Sequence, residues 1–335
     1  MIIKALTAEN FRLLVSSSIE FEPGLNIIAG PNASGKTSVL EAIGYCLRGR
    51  SILGAEDEEV PTFGTASFYA KVNATNSKRN LIEANFDGKK TIKADGKSIR
   101  SFKELLDLFK LVVITPSSTA TALGAPSLRR DFIDETASQI SPLWANIINE
   151  YRSIVKDRNA MLKKDFSKNL LDVLNAQLAQ TGKALRNIRR EVIGNLNLIT
   201  IEKGIKIELT EHDQLADADF VKYKDAEKAR GLTLIGPHRD DCAFILDDKR
   251  VEKFASTGEA RTVILMLKAA QADLIHKISA IEPLILADDL FAELDKSRTE
   301  EVLVSMGKYS QVIVTCACEI PKVDCKIIQA GSWKK

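Results

Sequence analysis

Along the first hundred residues, apolar and polar positions alternate in short runs separated by turn residues. IIKALTAENF and IEFEPGLNIIAG are followed by ASFYAKVNAT, RNLIEANF and KKTIKADGKSI, and the alternation predicts a strand in each. Pro23-Gly24, Asp87-Gly88 and Asp95-Gly96 read as turns, the last two of hairpin type. LVVIT (Leu111 to Thr115) adds a short apolar strand. From about Leu128 to Lys203 the period lengthens to that of a helix, in SPLWANIINEYRSIVKDRNAMLKK and LLDVLNAQLAQTGKALRNIRREVIGNL, where Gly182 is a candidate break. Strand-like text returns at KIELT, LTLIG and CAFILDD. A helix after Gly258, an apolar strand PLILADD, a helix KSRTEEVLVSMGKY and a strand QVIVTCA complete the pattern.

This order predicts an α/β chain. A nucleotide-binding lobe, 1–115 with 232–335, is built from both chain ends around an inserted, mainly helical lobe, 116–231; helix 256–278 is free to pack with the latter. The insertion lacks sustained a/d heptads, so no extended coiled coil is expected. At 335 residues and 45% hydrophobic the chain can bury a substantial core in each lobe. A net charge of +2 says little about partners, so any nucleic-acid signal must come from local clustering. No signal-peptide pattern and no run of 18 apolar residues are found, and five irregularly spaced cysteines fit reduced thiols, which together suggest a cytoplasmic protein. Cys316, Cys318 and Cys325 have no CxxC spacing and no neighbouring His, so they read as small hydrophobes rather than metal ligands.

The chemistry concentrates in Gly30-Pro31-Asn32-Ala33-Ser34-Gly35-Lys36-Thr37, a full GxxxxGK[ST] phosphate loop between the apolar strand LNIIA and the helix TSVLEAIGYCL, which begins at Thr37 and Ser38. Backbone N–H groups of such a loop turn inward around phosphate oxygens. Lys36 would reach the β- and γ-phosphates of ATP, and the Thr37 hydroxyl would hold Mg²⁺. LILADD (Leu284 to Asp289) is the matching strand: Asp288 would hold Mg²⁺ through water, and Asp289 would orient or deprotonate the attacking water. Asp289 is shorter than Glu, which suggests slow hydrolysis.

FASTGEARTVIL (Phe254 to Leu265) is a small polar cluster opening an apolar helix, and alone it reads as an ordinary N-cap. With ENFR (Glu9 to Arg12), GRS (Gly49 to Ser51), LRRDFID, YRSIVKDRNAMLK, GPHRDD, ASTGEAR and LILADDLFAELDKSR, in this order, the chain resembles the ABC-type P-loop ATPase heads. More narrowly, it resembles the RecF family of recombination mediators, relatives of the SMC heads. The resemblance implies a mixed sheet with flanking helices, an inserted helical lobe, and an ATP-dependent homodimer that closes on DNA. It adds Arg12 to the nucleotide site and implies that Ser256, Thr257 and Gly258 of one protomer cap the γ-phosphate held by the other. A helix N-terminus, carrying roughly +0.5 of a charge, suits that role. Glu259 stands where many relatives have Gln, and Glu293-Leu294-Asp295 matches a loop that crosses the dimer interface. The resemblance also implies gapped or junction DNA, RecR- and RecO-type partners, and recombinase loading.

Three departures stand out: Pro116-Ser117-Ser118 replaces the usual Pro-Glu-Asp, Cys316 sits at the switch-histidine position of ABC transporters, and Ala255 replaces a common Leu. The last two disfavour the rival reading as a transporter's ATPase subunit. The missing coiled coil and the GPHRDD text disfavour a small SMC-like or anti-phage ATPase head. A P-loop kinase, a third rival, would be monomeric.

For DNA, the segment from Tyr151 to Glu191 holds ten basic and four acidic residues, a local excess of six. Arg152, Lys156, Arg158, Lys163, Lys164, Arg186, Arg189 and Arg190 form the expected phosphate-contacting track. Lys89, Lys90, Lys93, Lys97 and Arg100 extend it. Arg129 and Arg130 of LRRDFID read equally as DNA contacts or as braces.

Overall fold

A computed structural model describes residues 1–75, 79–163, 168–290, 306–317 and 323–331. The chain forms two compact units, Met1–Ser118 with Gln271–Lys335, and Thr119–Ala270.

In the first unit, β1 (Ile2–Phe11), β2 (Leu14–Glu20), β3 (Gly24–Ala29) and α1 (Lys36–Arg48) are followed by β4 (Ser67–Thr75), β5 (Leu81–Asp87), β6 (Lys90–Ala94), β7 (Lys97–Ser98), α2 (Phe102–Leu108) and β8 (Leu111–Ile114). The alternating text makes an antiparallel sheet in the order β2-β1-β4-β5-β6-β7. Asp95 and Gly96, both at positive φ, turn β6 into β7 as the Asp-Gly pair predicts. The continuously apolar runs go instead to a second, parallel sheet, β14-β3-β13-β12-β8, completed by β12 (Leu284–Ala287), β13 (Gln311–Cys316) and β14 (Lys326–Gln329). Every residue of α1 except Thr37 is buried, because the helix meets strands of both sheets. Phe11, Tyr45 and Phe68 pack edge-to-face beneath it, 5.0–5.9 Å between ring centroids.

The second unit holds α3 (Ala120–Leu123), α4 (Pro126–Ile140), α5 (Pro142–Leu162), α6 (Lys168–Thr200), β9 (Ile205–Thr210), α7 (Asp217–Arg230), β10 (Asp241–Leu246), β11 (Lys249–Arg250), α8 (Val251–Phe254) and the first part of α9 (Thr257–Ser279). The break expected at Gly182 is absent, since α6 runs unbroken through it. A β-carbon there would lie 2.6 Å from Leu215 and 3.2 Å from Pro237, so Gly182 permits close packing. Nor is LTLIG a strand. Its amides bond to side chains instead: Thr233 N–H to Asn159 Oδ1, Leu234 N–H to Glu227 Oε1 and Gly236 N–H to Asp213 Oδ2, at 2.7–2.8 Å. The boundary expected near 232 falls at Ala270, because β10 pairs with β9 and packs on α4, keeping 232–270 with the helices.

Five arginines are buried among the described residues of this unit, Arg129, Arg158, Arg186, Arg189 and Arg261, and three of them overturn part of the expected DNA track. Arg158, at 1% exposure, is held by Glu227, Asn175 and Thr233. Arg186 donates twice to Asp240, and Arg189 donates twice to Asp134. All three share the apolar stripe of their helices with residues such as Ile154, Leu185 and Ile188, so they face the core and cannot reach a nucleic acid. Arg129 bonds Asp241 and Arg130 bonds the Asp240 carbonyl, which makes both braces within the unit. Of the rest of the track, Arg152, Lys156, Lys163 and Arg190 are exposed; Lys164 lies outside the described residues.

His238 is partly buried here. Its Nε2 lies 3.0 Å from the Thr233 carbonyl and so carries the proton, leaving Nδ1 to accept from the Tyr151 hydroxyl at 2.7 Å. Burial lowers the imidazole's pKa, against the raising effect of the Thr233 carbonyl and with help from Arg239 and Arg130. The unfolded chain therefore binds this proton more readily, and stability is expected to fall as pH drops below the ordinary His value near 6.5. Urea midpoints at pH 7.5 and 5.5 should differ more for wild type than for His238→Gln; equal differences would remove His238 as the cause.

Candidate nucleotide site

The phosphate loop leaves β3 at Ala29 and enters α1 at Lys36. Gly30 has φ 157° and a β-carbon there would meet Ala330 at 2.5 Å, while Gly35 takes φ 96° as the residue before the helix, a value glycine adopts without strain. Ala33 also has a positive φ, 59°. No side chain caps the N-terminus of α1, and the buried Ser34 hydroxyl has no hydrogen-bond partner. Both features suit an anion seated in the loop, where the first-turn amides and this hydroxyl would donate. Lys36 folds back over the loop and donates to the Gly30 and Pro31 carbonyls, each at 2.8 Å, which poises its ammonium above the loop.

The strand end that the sequence pairs with this loop meets it directly. Thr37 Oγ1 donates to the Asp288 carboxylate, 2.9 and 3.0 Å from its two oxygens, across 251 residues of sequence. Thr315 Oγ1 donates to Asp288 Oδ1 at 2.7 Å and accepts the Asp289 N–H at 2.8 Å. Asp289 follows at φ 48°, which turns the chain at the strand end. Sequence reasoning overlooked Thr315. The signal available was its place before Cys316 at the end of QVIVTC, since β13 lies parallel to β12 with Val314 opposite Ala287. Cys316 itself is buried, and its carbonyl accepts the Gly30 N–H at 3.2 Å.

A cleft of about 200 Å³ is lined by Leu13, residues 32–38, Pro116, Asp288, Asp289 and Thr315. It brings together the loop and both aspartates named from sequence. A hydroxyl and a carboxylate within 3.0 Å match the sparse protein set with which Mg²⁺ is held beside nucleotide phosphates. Among the described residues no group of three or more His, Cys, Asp or Glu side chains forms a self-sufficient metal site, so a metal here would need the phosphates. Arg12 is engaged elsewhere: its guanidinium forms two bonds to the buried Glu41 of α1, at 2.8 and 2.9 Å, and one to the Glu59 carbonyl. Its side chain is therefore a strut between the β1–β2 turn and α1. Ser117 and Ser118 form an uncharged hydroxyl cluster with Thr115, at 2.8 and 3.2 Å, at the departure noted in the sequence.

Ser256, Thr257 and Gly258 are exposed at the N-terminus of α9. Ser256 and Glu259 form a capping box. The Ser256 N–H and hydroxyl both donate to Glu259 Oε2, at 2.8 and 2.7 Å, and the Glu259 N–H returns to Ser256 Oγ at 3.3 Å. Glu293-Leu294-Asp295 lies outside the described residues.

An AAA-domain family model matches residues 5–229. The chain is 32% identical to the DNA replication and repair protein RecF of Lachnoclostridium phytofermentans, over 94% of this chain and 92% of the relative. It is likewise 32% identical to RecF of Clostridium beijerinckii, over 95% and 92%. Among solved structures it is similar to the recombination mediator protein RecF with ATP in the RecFOR pathway, at a TM-score of 0.86 and 25% identity over 99% of this chain and 98% of that one. An Smc head bound to the C-winged helix domain of ScpA aligns at a TM-score of 0.56 and 16% identity, over 95% and 90%, a likeness of fold alone. The fold is thus that of the ABC-type ATPase heads. With relatives this similar along nearly their whole length, the chain belongs to the RecF family.

Proposed function

We propose that this chain is an ATP-dependent recombination mediator of the RecF type, which binds ATP with Mg²⁺, dimerises on it and engages gapped or junction-bearing DNA. The observation that carries the nucleotide part is the Thr37–Asp288–Thr315 cluster, which seats a magnesium-type ligand pair against the phosphate loop. Thr37 and Asp288 would hold the metal, and ATP would supply the γ-phosphate that joins two protomers. Lys36 would leave the loop carbonyls for the phosphates. Thr315 orients the Asp288 carboxylate and fixes the Asp289 backbone, so that the Asp289 side chain would position or deprotonate the attacking water. The shortness of Asp289 supports slow hydrolysis, a switch rather than an engine. Ser256, Thr257 and Gly258 would meet the γ-phosphate of the second protomer. RecR- and RecO-type partners, recombinase loading and a cytoplasmic location follow from the family reading.

The exposed cations of the helical unit support a sequence-independent contact to the DNA backbone. Arg152, Lys156 and Lys163 line an open groove of about 560 Å³ along α5. With Arg190, about four phosphate contacts predict a loss of roughly 10²-fold in affinity between 50 and 200 mM salt. Fluorescence anisotropy of a labelled gapped duplex with ATP and with ADP tests both parts. Affinity indifferent to salt would eliminate the electrostatic track, and affinity indifferent to nucleotide would eliminate the ATP gate.

A further inference from the structure

Arg152, Lys156, Asn159 and Lys163 recur at intervals of four, three and four residues, which sets them on one face of α5 over about 16 Å. They line the open groove of about 560 Å³ in the helical unit, and Val155, Ala160 and Leu232 complete its lining. Three cations and no carboxylate therefore border a surface that is otherwise aliphatic. Arg152 is paired with Asp131 and Asp134, whereas Lys156 and Lys163 have no ion pair among the described residues. Leu232 is 47% exposed, yet it is held in place. It follows Gly231, whose φ of 61° ends α7, and its N–H donates to the Glu227 carbonyl at 3.3 Å.

The next residue fixes the groove's one neutral polar group. Thr233 N–H and Thr233 Oγ1 both donate to Asn159 Oδ1, at 2.7 Å. A backbone amide only donates, so the oxygen of Asn159 faces Thr233, and its Nδ2 is left with no partner among the described residues. The groove thus offers cations in a line, an aliphatic surface and an oriented amide donor, all set before a ligand arrives. Its occupant must be anionic along its length and apolar at intervals. A DNA duplex reaches the cations, but its phosphates form a convex outer surface and its base faces are stacked inside, away from Val155 and Leu232. An unpaired strand carries the same phosphates and turns base faces and edges outward. Lys156 and Lys163 suit the phosphates, Leu232 suits a base face, and Asn159 Nδ2 suits a base carbonyl.

We propose that the α5 groove holds an unpaired stretch of DNA, with its phosphates on Lys156 and Lys163 and a base lying on Leu232. This rests on reading the chain as a DNA-binding protein, and it adds that this part of the surface takes single-stranded rather than duplex DNA. The base contact is aliphatic, so it discriminates paired from unpaired DNA without reading sequence.

Equilibrium binding of a labelled oligo-dT strand and of a blunt duplex to the full chain with Mg-ATP tests the groove. Leu232→Ser keeps every cation, and it should weaken oligo-dT by about 10-fold and leave the duplex unchanged. Leu232→Phe should tighten oligo-dT, because a ring adds stacking, again without effect on the duplex. Lys156→Ala should weaken oligo-dT and lower the slope of its salt dependence by about one. Equal losses for strand and duplex in Leu232→Ser, or no loss for either, would overturn the proposal. So would a peptide of alternating Glu and Leu that displaces oligo-dT and itself depends on Leu232, which would assign the groove to a protein partner. Failure of the underlying reading looks different: wild type would bind neither DNA even at low salt.

Discussion

Ser256→Arg is expected to stay monomeric in saturating ATP, where wild type sediments as a dimer, and to bind ATP as tightly as wild type. Ser256 is exposed, and among the described residues its side chain bonds Glu259, three residues along the same helix, so the substitution disturbs no core. Losing the cap costs about 0.5–2 kcal/mol of local helix stability, too little to unfold the chain. What the substitution removes is the hydroxyl donor proposed for the partner's γ-phosphate, and it puts a long side chain where close approach is required. Sedimentation velocity with ATP, ADP and no nucleotide checks this, and a mutant that dimerises like wild type would sink the trans-capping reading. Glu259→Gln adds an informative arm. Glu259 places a carboxylate on the Ser256 hydroxyl and amide, where the phosphate must come, so its neutral isostere should tighten the ATP dimer. Wild-type levels of dimer in this variant would mean that the carboxylate swings clear at no cost.

Glu227→Ala is expected to destabilise the helical unit by about 3–5 kcal/mol, the cost of stranding a buried cation. Arg158 and Glu227 are each 1% exposed, and their side chains meet at 2.6 Å. Glu227 also accepts the Leu234 amide, so the change orphans a backbone N–H in the irregular segment before GPHRDD. Domains of this kind are stable by only about 5–15 kcal/mol in all, so the loss is severe. Urea unfolding monitored by circular dichroism gives the number. A loss below 1 kcal/mol would mean that water reaches Arg158, and would return this arginine to the candidates for DNA contact.

Much of the site was legible in the chain's own text. GPNASGKT specifies a loop whose glycines and following helix leave little latitude, and LILADD specifies a buried strand that ends in carboxylates. Both motifs are local, and local backbone preference forms them. Arg12 was less legible: ENFR suggested a nucleotide contact, but Glu41, twenty-nine residues on, holds the guanidinium. Thr315 was silent because a threonine at a strand end acquires a role only when sheet order sets it opposite Asp288.

The basic segment shows the limit most sharply. The ten cations between Tyr151 and Glu191 look alike in sequence. Helical periodicity turns Arg158, Arg186 and Arg189 inward with the leucines and isoleucines, but whether a buried arginine is tolerated depends on a carboxylate arriving from elsewhere. Glu227, Asp240 and Asp134 do so from 69, 54 and 55 residues away. Likewise Gly182, a helix breaker by composition, sits mid-helix because Leu215 and Pro237 press against it. The sequence alone thus determined most of the described strands and the long helices, the phosphate loop and its partner strand, because those depend on short-range periodicity and backbone freedom; LTLIG was the exception, and most of the expected helix KSRTEEVLVSMGKY lies outside the described residues. The tertiary structure decided which charges face water and which brace the core, and how the chain divides at Ala270, because burial and ion pairing are settled by residues far apart in the chain.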